Sequence, residues 1–316
     1  MKLLFFDDFK LGVLNRDMVI DVSPIVRQIP HTGPHNLING LIERFEEYRG
    51  RLQEAAERGQ GVPVDRVRVR PPLPKPYNLI AMAVNYLEEG ERAKPAPMNA
   101  FHKSPNSVIG DGDTLVLPDV PATVFEGEAE LALVIGKRAS AVGAAEAMDY
   151  VFGYSNLIDG SARGLQPSGN TFYQMKSRDT FAPLGPFLVT ADEVANPHAL
   201  QVRLWINGEL KQNYNTRAMS HKIPECIEWA TSIHTLEPGD ILATGTDHRG
   251  LSAIQDRDLM EMETDGLGKL RVHVRDDLKR TWSRETRGER MKKGLEGGAP
   301  QLTGKYSQAS GLWKRG

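Results

Sequence analysis

The sequence predicts a β-rich α+β fold on three observations. Short apolar runs divided by Gly, Pro, Asp and Asn recur from residue 77 to about residue 275. Only a few stretches carry the three-and-four apolar spacing of a helix. Strands and helices do not alternate as they would in a βαβ array. The 316 residues, 40% hydrophobic and 25% charged, suffice for one large domain or two smaller ones around a real core.

Residues 1–72 read as a small N-terminal α/β domain. Apolar runs at 3–6, 13–14 and 18–22 are strand-like, and Leu37, Leu41, Phe45 and Tyr48 mark one helix over 36–56. Residues 70–76 hold four prolines, which exclude regular helix and central strand, so the stretch reads as a linker. Residues 73–282 form the main domain. Strands are predicted at 77–84, 107–108, 114–117, 128–135, 152–157, 185–189, 200–206, 241–244 and 269–274, with helices at 141–150 and 224–232. From 283 to 316 glycine and charge are frequent and apolar residues sparse. That tail reads as an extended or disordered arm, with Trp313 to dock it, on a neighbouring subunit for instance.

The bulk numbers exclude several classes. A net charge of -2 offers no global basic field to nucleic acid or an anionic membrane. The single cysteine, Cys226, rules out an intrachain disulfide and a cysteine zinc cage. The first apolar run is broken by Asp7 and Asp8, unlike a signal peptide, and no stretch approaches the roughly 18 apolar residues of a membrane helix. A soluble cytoplasmic protein is the expectation.

The most informative stretch is residues 124–136, VFEGEAELALVIG. On a strand, Glu126, Glu128, Glu130, Ala132 and Val134 share one face, while Leu131, Leu133 and Ile135 share the other. Alternate positions stand about 6.6 Å apart, so two of these carboxylates can converge on one cation. A hard divalent ion wants such all-oxygen ligation. A solvated edge strand with its acids in water gives the same pattern. Asp159, before Gly160-Ser161, reads as the end of a strand beside a tight turn, where a carboxylate serves a site or caps a helix.

Together these segments resemble the fumarylacetoacetate hydrolase family. The residues that carry the resemblance are Glu128-Ala-Glu130-Leu, Val134-Ile-Gly136, Gly153-Tyr154, Asp159, Ser161-Ala-Arg163, Gln166 and Lys176. Asp179-Thr-Phe-Ala-Pro-Leu-Gly-Pro186, Asn207-Gly-Glu209, Leu236-Glu-Pro-Gly-Asp240 and Gly245-Thr246 follow in the family's order over roughly 77–275. The resemblance implies a mixed β-roll and a homodimer. It selects Glu128, Glu130 and Asp159 as metal ligands and leaves out Glu126. Mg²⁺ is the implied metal, with Mn²⁺ or Ca²⁺ as alternatives. It further implies that Arg163 and Gln166 face the substrate, that Thr246 with its backbone holds a substrate carboxylate, and that Lys176 stabilises or protonates an enolate. The expected substrate is a small 2-oxo acid that chelates the metal.

Two departures bear on the reaction. Hydrolases of this family often carry N-Y-x-x-H-x-x-E, whose His and Glu activate water. Here Glu89 stands in the His position and Arg92 in the Glu position. Glu89 is a candidate base, because crowding with Glu88 and Glu91 in an enclosed segment raises at least one carboxyl pKa; a solvated acidic lid is the alternative. The family's G-T-P-x-G is one residue longer here, Gly245-Thr-Asp-His-Arg-Gly250. His248 is thereby a candidate imidazole, against a turn histidine without a role, and Arg249 a partner for a second acidic group. His102, before Lys103, is placed to line the cleft.

The leading expectation is a metal-dependent C–C hydrolase of an acylpyruvate-like 2,4-dioxo acid. A lyase or isomerase of the same family is the alternative: an oxaloacetate-type decarboxylase, a sugar-acid dehydratase or a keto–enol isomerase. A non-catalytic homodimeric scaffold is a further rival.

Overall fold

A computed structural model describes residues 1–88, 94–167, 169 and 171–307. It is a mixed-sheet α+β fold. The largest sheet runs in the order Val62–Pro63, Met18–Asp21, Lys10–Asn15, Lys2–Phe6, Ala182–Thr190, Val151–Arg163, Val124–Ile135, Ile241–Ala243, Leu79–Met82, Ala100–His102. The strands of residues 1–72 thus continue the same sheet, joined where Lys2 and Leu3 pair with Val189 and Leu188. A second, five-stranded sheet runs Glu209–Asn215, Gln201–Ile206, Leu259–Thr264, Gly268–Arg275, Thr114–Val116.

Two apolar cores lie on the two faces of the large sheet. Leu131, Leu133 and Ile135 join Val202, Leu204, Met260, Met262 and Leu270 of the second sheet. Ala132 and Val134, on the opposite face, join Leu37, Leu41, Phe45 and Leu52 of the N-terminal helices. The alternation read from the sequence therefore holds, with both faces covered. The solvated-edge alternative does not: Val124–Ile135 is a central strand buried at every position. Its acids lie on the helix-covered face, beyond where Ala132 and Val134 fill it with side chains.

Several expectations are corrected. The helix over 36–56 is two helices, Pro34–Glu43 and Phe45–Arg58. They part at Arg44, which leaves helical geometry while Phe45 packs edge-on against Phe152 with ring centroids 4.9 Å apart. No helix forms over 141–150 beyond a 3-10 turn at Ala147–Tyr150. The Ala141 and Val142 N–H groups instead donate to the Thr231 carbonyl and hydroxyl, so tertiary pairing takes the donors a helix would use. The strand through Asp159 does not end there but runs on to Arg163. Gly160 makes this possible, because a Cβ at that position would stand 2.9 Å from the Phe181 ring. The strands Glu209–Asn215 and Leu259–Thr264, whose acids and polar residues face solvent on one side, were not expected.

The tail is neither an extended nor a disordered arm across its described part. Thr281–Trp282 pairs with Gln301–Thr303, and Arg287–Lys292 is helical between them. Trp282 and Ala299 enter the main core, and the buried Arg280 binds Asp276 and the Pro118 and Val120 carbonyls. Trp313 lies outside the described residues. No described helix is long and apolar enough to cross a membrane.

Candidate metal centre

Strand register builds the site. Val124–Ile135 and Val151–Arg163 pair antiparallel with Glu128 opposite Asp159 and Glu126 opposite Ser161. Directly opposed residues hold their Cβ atoms about 5 Å apart. Glu130, two residues on, shares their face. One ligand oxygen from each of Glu128, Glu130 and Asp159 lies within 4.8 Å of the others, and all three residues are buried.

Buried carboxylates demand compensation. Lys176, at the end of the short helix Phe172–Lys176, donates to Glu128 Oε1 at 2.6 Å and Asp159 Oδ2 at 2.5 Å. Lys103 donates to Asp159 Oδ1 at 2.6 Å and to the Lys176 carbonyl. Glu128 also accepts from the Ser161 hydroxyl at 2.9 Å and from Arg163 Nη2. Burial would raise the Glu128 pKa, but Lys176 and Arg163, followed by His248, outweigh it and hold the carboxyl well below the usual range. Burial moves Glu130 the other way, well above that range, reinforced by the charges of Asp159 and Glu128. Burial likewise pushes the Lys103 ammonium down, against the pull of Asp159.

Glu130 is the informative member. Among the described residues it has no ion pair, only the Gly245 N–H at 2.9 Å. A buried carboxylate with no cation of its own, beside two others on an all-oxygen donor set, fits a hard divalent ion. The residues present therefore suit the expected metal.

The peptide between the two glutamates is pinned from outside the sheet. The neighbouring strand Ile241–Ala243 pairs with Ala132 to Val134, and the last bond of that edge is Thr244 N–H to the Leu131 carbonyl. Beyond it, Gln212 Oε1 accepts the Ala129 N–H at 3.0 Å, and the Ala129 carbonyl accepts from Thr246 Oγ1 at 2.7 Å and Tyr214 at 2.5 Å. The Thr246 hydroxyl, which also accepts from Gln212 Nε2 at 2.8 Å, is thus part of the scaffold under the two carboxylates. Gln212 and Tyr214 were invisible as site residues because they lie on a strand the sequence did not reveal.

The remaining candidates fall into two groups. Arg163, mostly buried, binds both Glu128 and Glu126 at the site's edge. Gln166 is exposed, and Arg249 pairs with Asp247 at its own loop. Glu89 lies outside the described residues. Its neighbour Glu88 is buried and takes both the His248 N–H at 3.0 Å and His248 Nδ1 at 2.7 Å on one oxygen. A His–Glu pair therefore forms on the loop whose Gly245 N–H reaches Glu130 and whose Thr246 hydroxyl reaches the Ala129 carbonyl. The one-residue-longer Gly245–Gly250 loop was the signal for it. His102 stacks on His234 with ring centroids 5.4 Å apart, over an apolar recess lined by Phe101 and Trp229.

Residues 78–275 match the model of the fumarylacetoacetate hydrolase C-terminal family. The maleylpyruvate hydrolase of Aquipseudomonas alcaligenes is 31% identical over 291 residues, 87% of this chain and 99% of its own. An oxaloacetate tautomerase of Bacillus subtilis is 34% identical over 74% of this chain and 83% of its own. The crystal structure of maleylpyruvate hydrolase from Sphingobium sp. SYK-6 in complex with manganese(II) and pyruvate superposes with a TM-score of 0.79. It is 35% identical and covers 87% of this chain and 99% of that one.

Proposed function

The chain belongs to the fumarylacetoacetate hydrolase family, and on that footing we propose that it is a divalent-metal-dependent hydrolase cleaving a C–C bond in an acylpyruvate-like 2,4-dioxo acid. The single observation that carries this reading is the His248–Glu88 pair beside the carboxylate triad. A hydrolase needs a base for water, and the family's usual position for the histidine is occupied here by Glu89.

Glu128, Glu130 and Asp159 would hold a divalent cation, Mg²⁺ or Mn²⁺, which would supply Lewis acidity toward a 2-oxo acid substrate. Glu88 accepts from Nδ1 and so fixes the tautomer in which His248 Nε2 is basic. Nε2 takes a proton from water as its oxygen adds to the distal carbonyl. The C–C bond then breaks, giving an acid and the enolate of pyruvate. Lys176, which donates to Glu128 and Asp159, stands to protonate that enolate. Arg163 and Arg249 meet substrate carboxylates, with Gln166 at the rim and the Thr246 backbone below. In this reading the base is His248 in place of Glu89.

A second reading, keto–enol isomerisation or decarboxylation of an oxaloacetate-like acid, is favoured by the likeness to the oxaloacetate tautomerase. It uses the same residues without added water. Product analysis with Mn²⁺ or Mg²⁺ separates the two. Two acids in equal amounts from an acylpyruvate support hydrolysis. Enol–keto exchange or CO₂ release without cleavage supports the second reading, and no turnover of either substrate leaves the scaffold. The homodimer implied by the family is read by light scattering as twice the 35.0 kDa chain mass.

A further inference from the structure

The family match ends at residue 275, yet a side chain from beyond it reaches the site. Arg287 Nε donates to Glu126 Oε1 at 2.9 Å and its Nη2 to Oε2. The same Oε2 accepts Arg163 Nε at 3.0 Å, and Arg163 Nη2 continues to Glu128. We propose that Arg287 is a positioning residue for the metal centre, acting through Glu126 to hold the Arg163 guanidinium against Glu128. The inference rests on the reading above, in which Arg163 meets the substrate carboxylate.

The segment is built for this placement. The Arg287 N–H donates to the Leu251 carbonyl at 2.8 Å. Just before it, Arg284 grips the buried Asp258 with two bonds of 2.6 and 2.7 Å. After it, Gly298 passes so close to the strand that a Cβ there would stand 2.7 Å from Val124. The segment is thus anchored on both sides of Arg287.

The charge logic follows from burial. Glu126 is fully buried, with two guanidiniums sharing its carboxylate. A buried carboxylate stripped of one partner draws harder on the other. Without Arg287, Arg163 turns to Glu126 and away from Glu128, while the three metal ligands keep their places. A residue of merely structural value would weaken metal and substrate binding together.

The test is calorimetry on the full chain, titrating Mn²⁺ and then oxalate into the Mn²⁺-loaded protein. In Arg287→Ala, oxalate affinity is expected to fall about tenfold or more while Mn²⁺ affinity stays within about threefold. Arg287→Lys recovers part of the loss, and Arg287→Ala adds nothing further on top of Glu126→Gln. Unchanged oxalate affinity overturns the proposal. So does a parallel loss of both affinities, or additive losses in the double variant. If Arg287→Ala does not fold, Arg287→Lys carries the same comparison. If the wild type shows no Mn²⁺-dependent oxalate binding, the functional reading falls first. A crystal structure of the variant then decides the clamp: Arg163 released from Glu128 supports it, and an unchanged contact overturns it.

Discussion

Glu126 and Glu130 stand on the same face of one strand, each two residues from Glu128, and both are buried. Their surroundings are opposite. Glu126 is held by Arg163 and Arg287, which overcome its burial and keep its carboxyl below the usual range. Glu130 has no ion pair among the described residues, and burial with two neighbouring acids raises it. One end of the strand face is neutralised by the protein itself, and the other calls for a cation from outside. A carboxylate's backbone position therefore does not decide its role; the charges brought to it from distant segments do.

The largest break in this comparison is Glu130→Ala. With Glu130 as a proposed ligand, its loss should weaken Mn²⁺ binding by more than about 100-fold, whereas Glu126→Gln should change it by no more than about tenfold. Equilibrium dialysis of both variants reads the contrast, and equal losses erase the distinction between the two ends. Next comes the His248–Glu88 pair. His248→Asn should lower kcat by about 100-fold or more, and Glu88→Gln by a smaller factor, with Mn²⁺ affinity kept in both. Full activity in His248→Asn returns the base to another group and favours the isomerase reading.

Much of this was legible in the sequence, and the misses have physical causes. Strand alternation separated Glu128 and Glu130 from Leu131 and Leu133, because a period of two depends only on local geometry. Asp159 was grouped with Glu128 and Glu130, and the structure brings the three together, although its strand was cut short. Gly160 reads as a turn in sequence, and only the ring of Phe181 against it reveals a packed strand. Lys103, Glu88, Gln212 and Arg287 escaped as site residues because each reaches the centre from a remote segment. Lys103 meets Asp159 across 56 positions and Arg287 meets Glu126 across 161. The tail misled for a related reason. Its anchors are Arg284 and Arg287 bound to buried acids and, among the described residues, the lone core residue Ala299, which leave no apolar periodicity to read.

The smallest expected effect belongs to the tail's outer rim. Asp119, fully exposed, is held below its ordinary pKa of 3.8 by bonds from Lys305 and then Tyr306. A depressed carboxyl contributes stability above its unfolded pKa and loses it as pH falls through the folded value. Asp119→Asn should therefore lower the melting midpoint by no more than about 2 °C at pH 7. The gap should begin to narrow as pH falls below 3.8. Thermal scans at pH 7 and pH 3 check it, and a large or pH-independent gap would assign the contact another role.

Glu128, Glu130 and Asp159 are proposed to form the metal site, with Glu126 outside it. Anomalous diffraction from crystals soaked in Mn²⁺ and oxalate tests it most directly. One manganese peak is expected within about 2.6 Å of an oxygen from each of the three, with Glu126 still between Arg163 and Arg287. A peak on Glu126, or no peak while Lys176 still bridges Glu128 and Asp159, would contradict it.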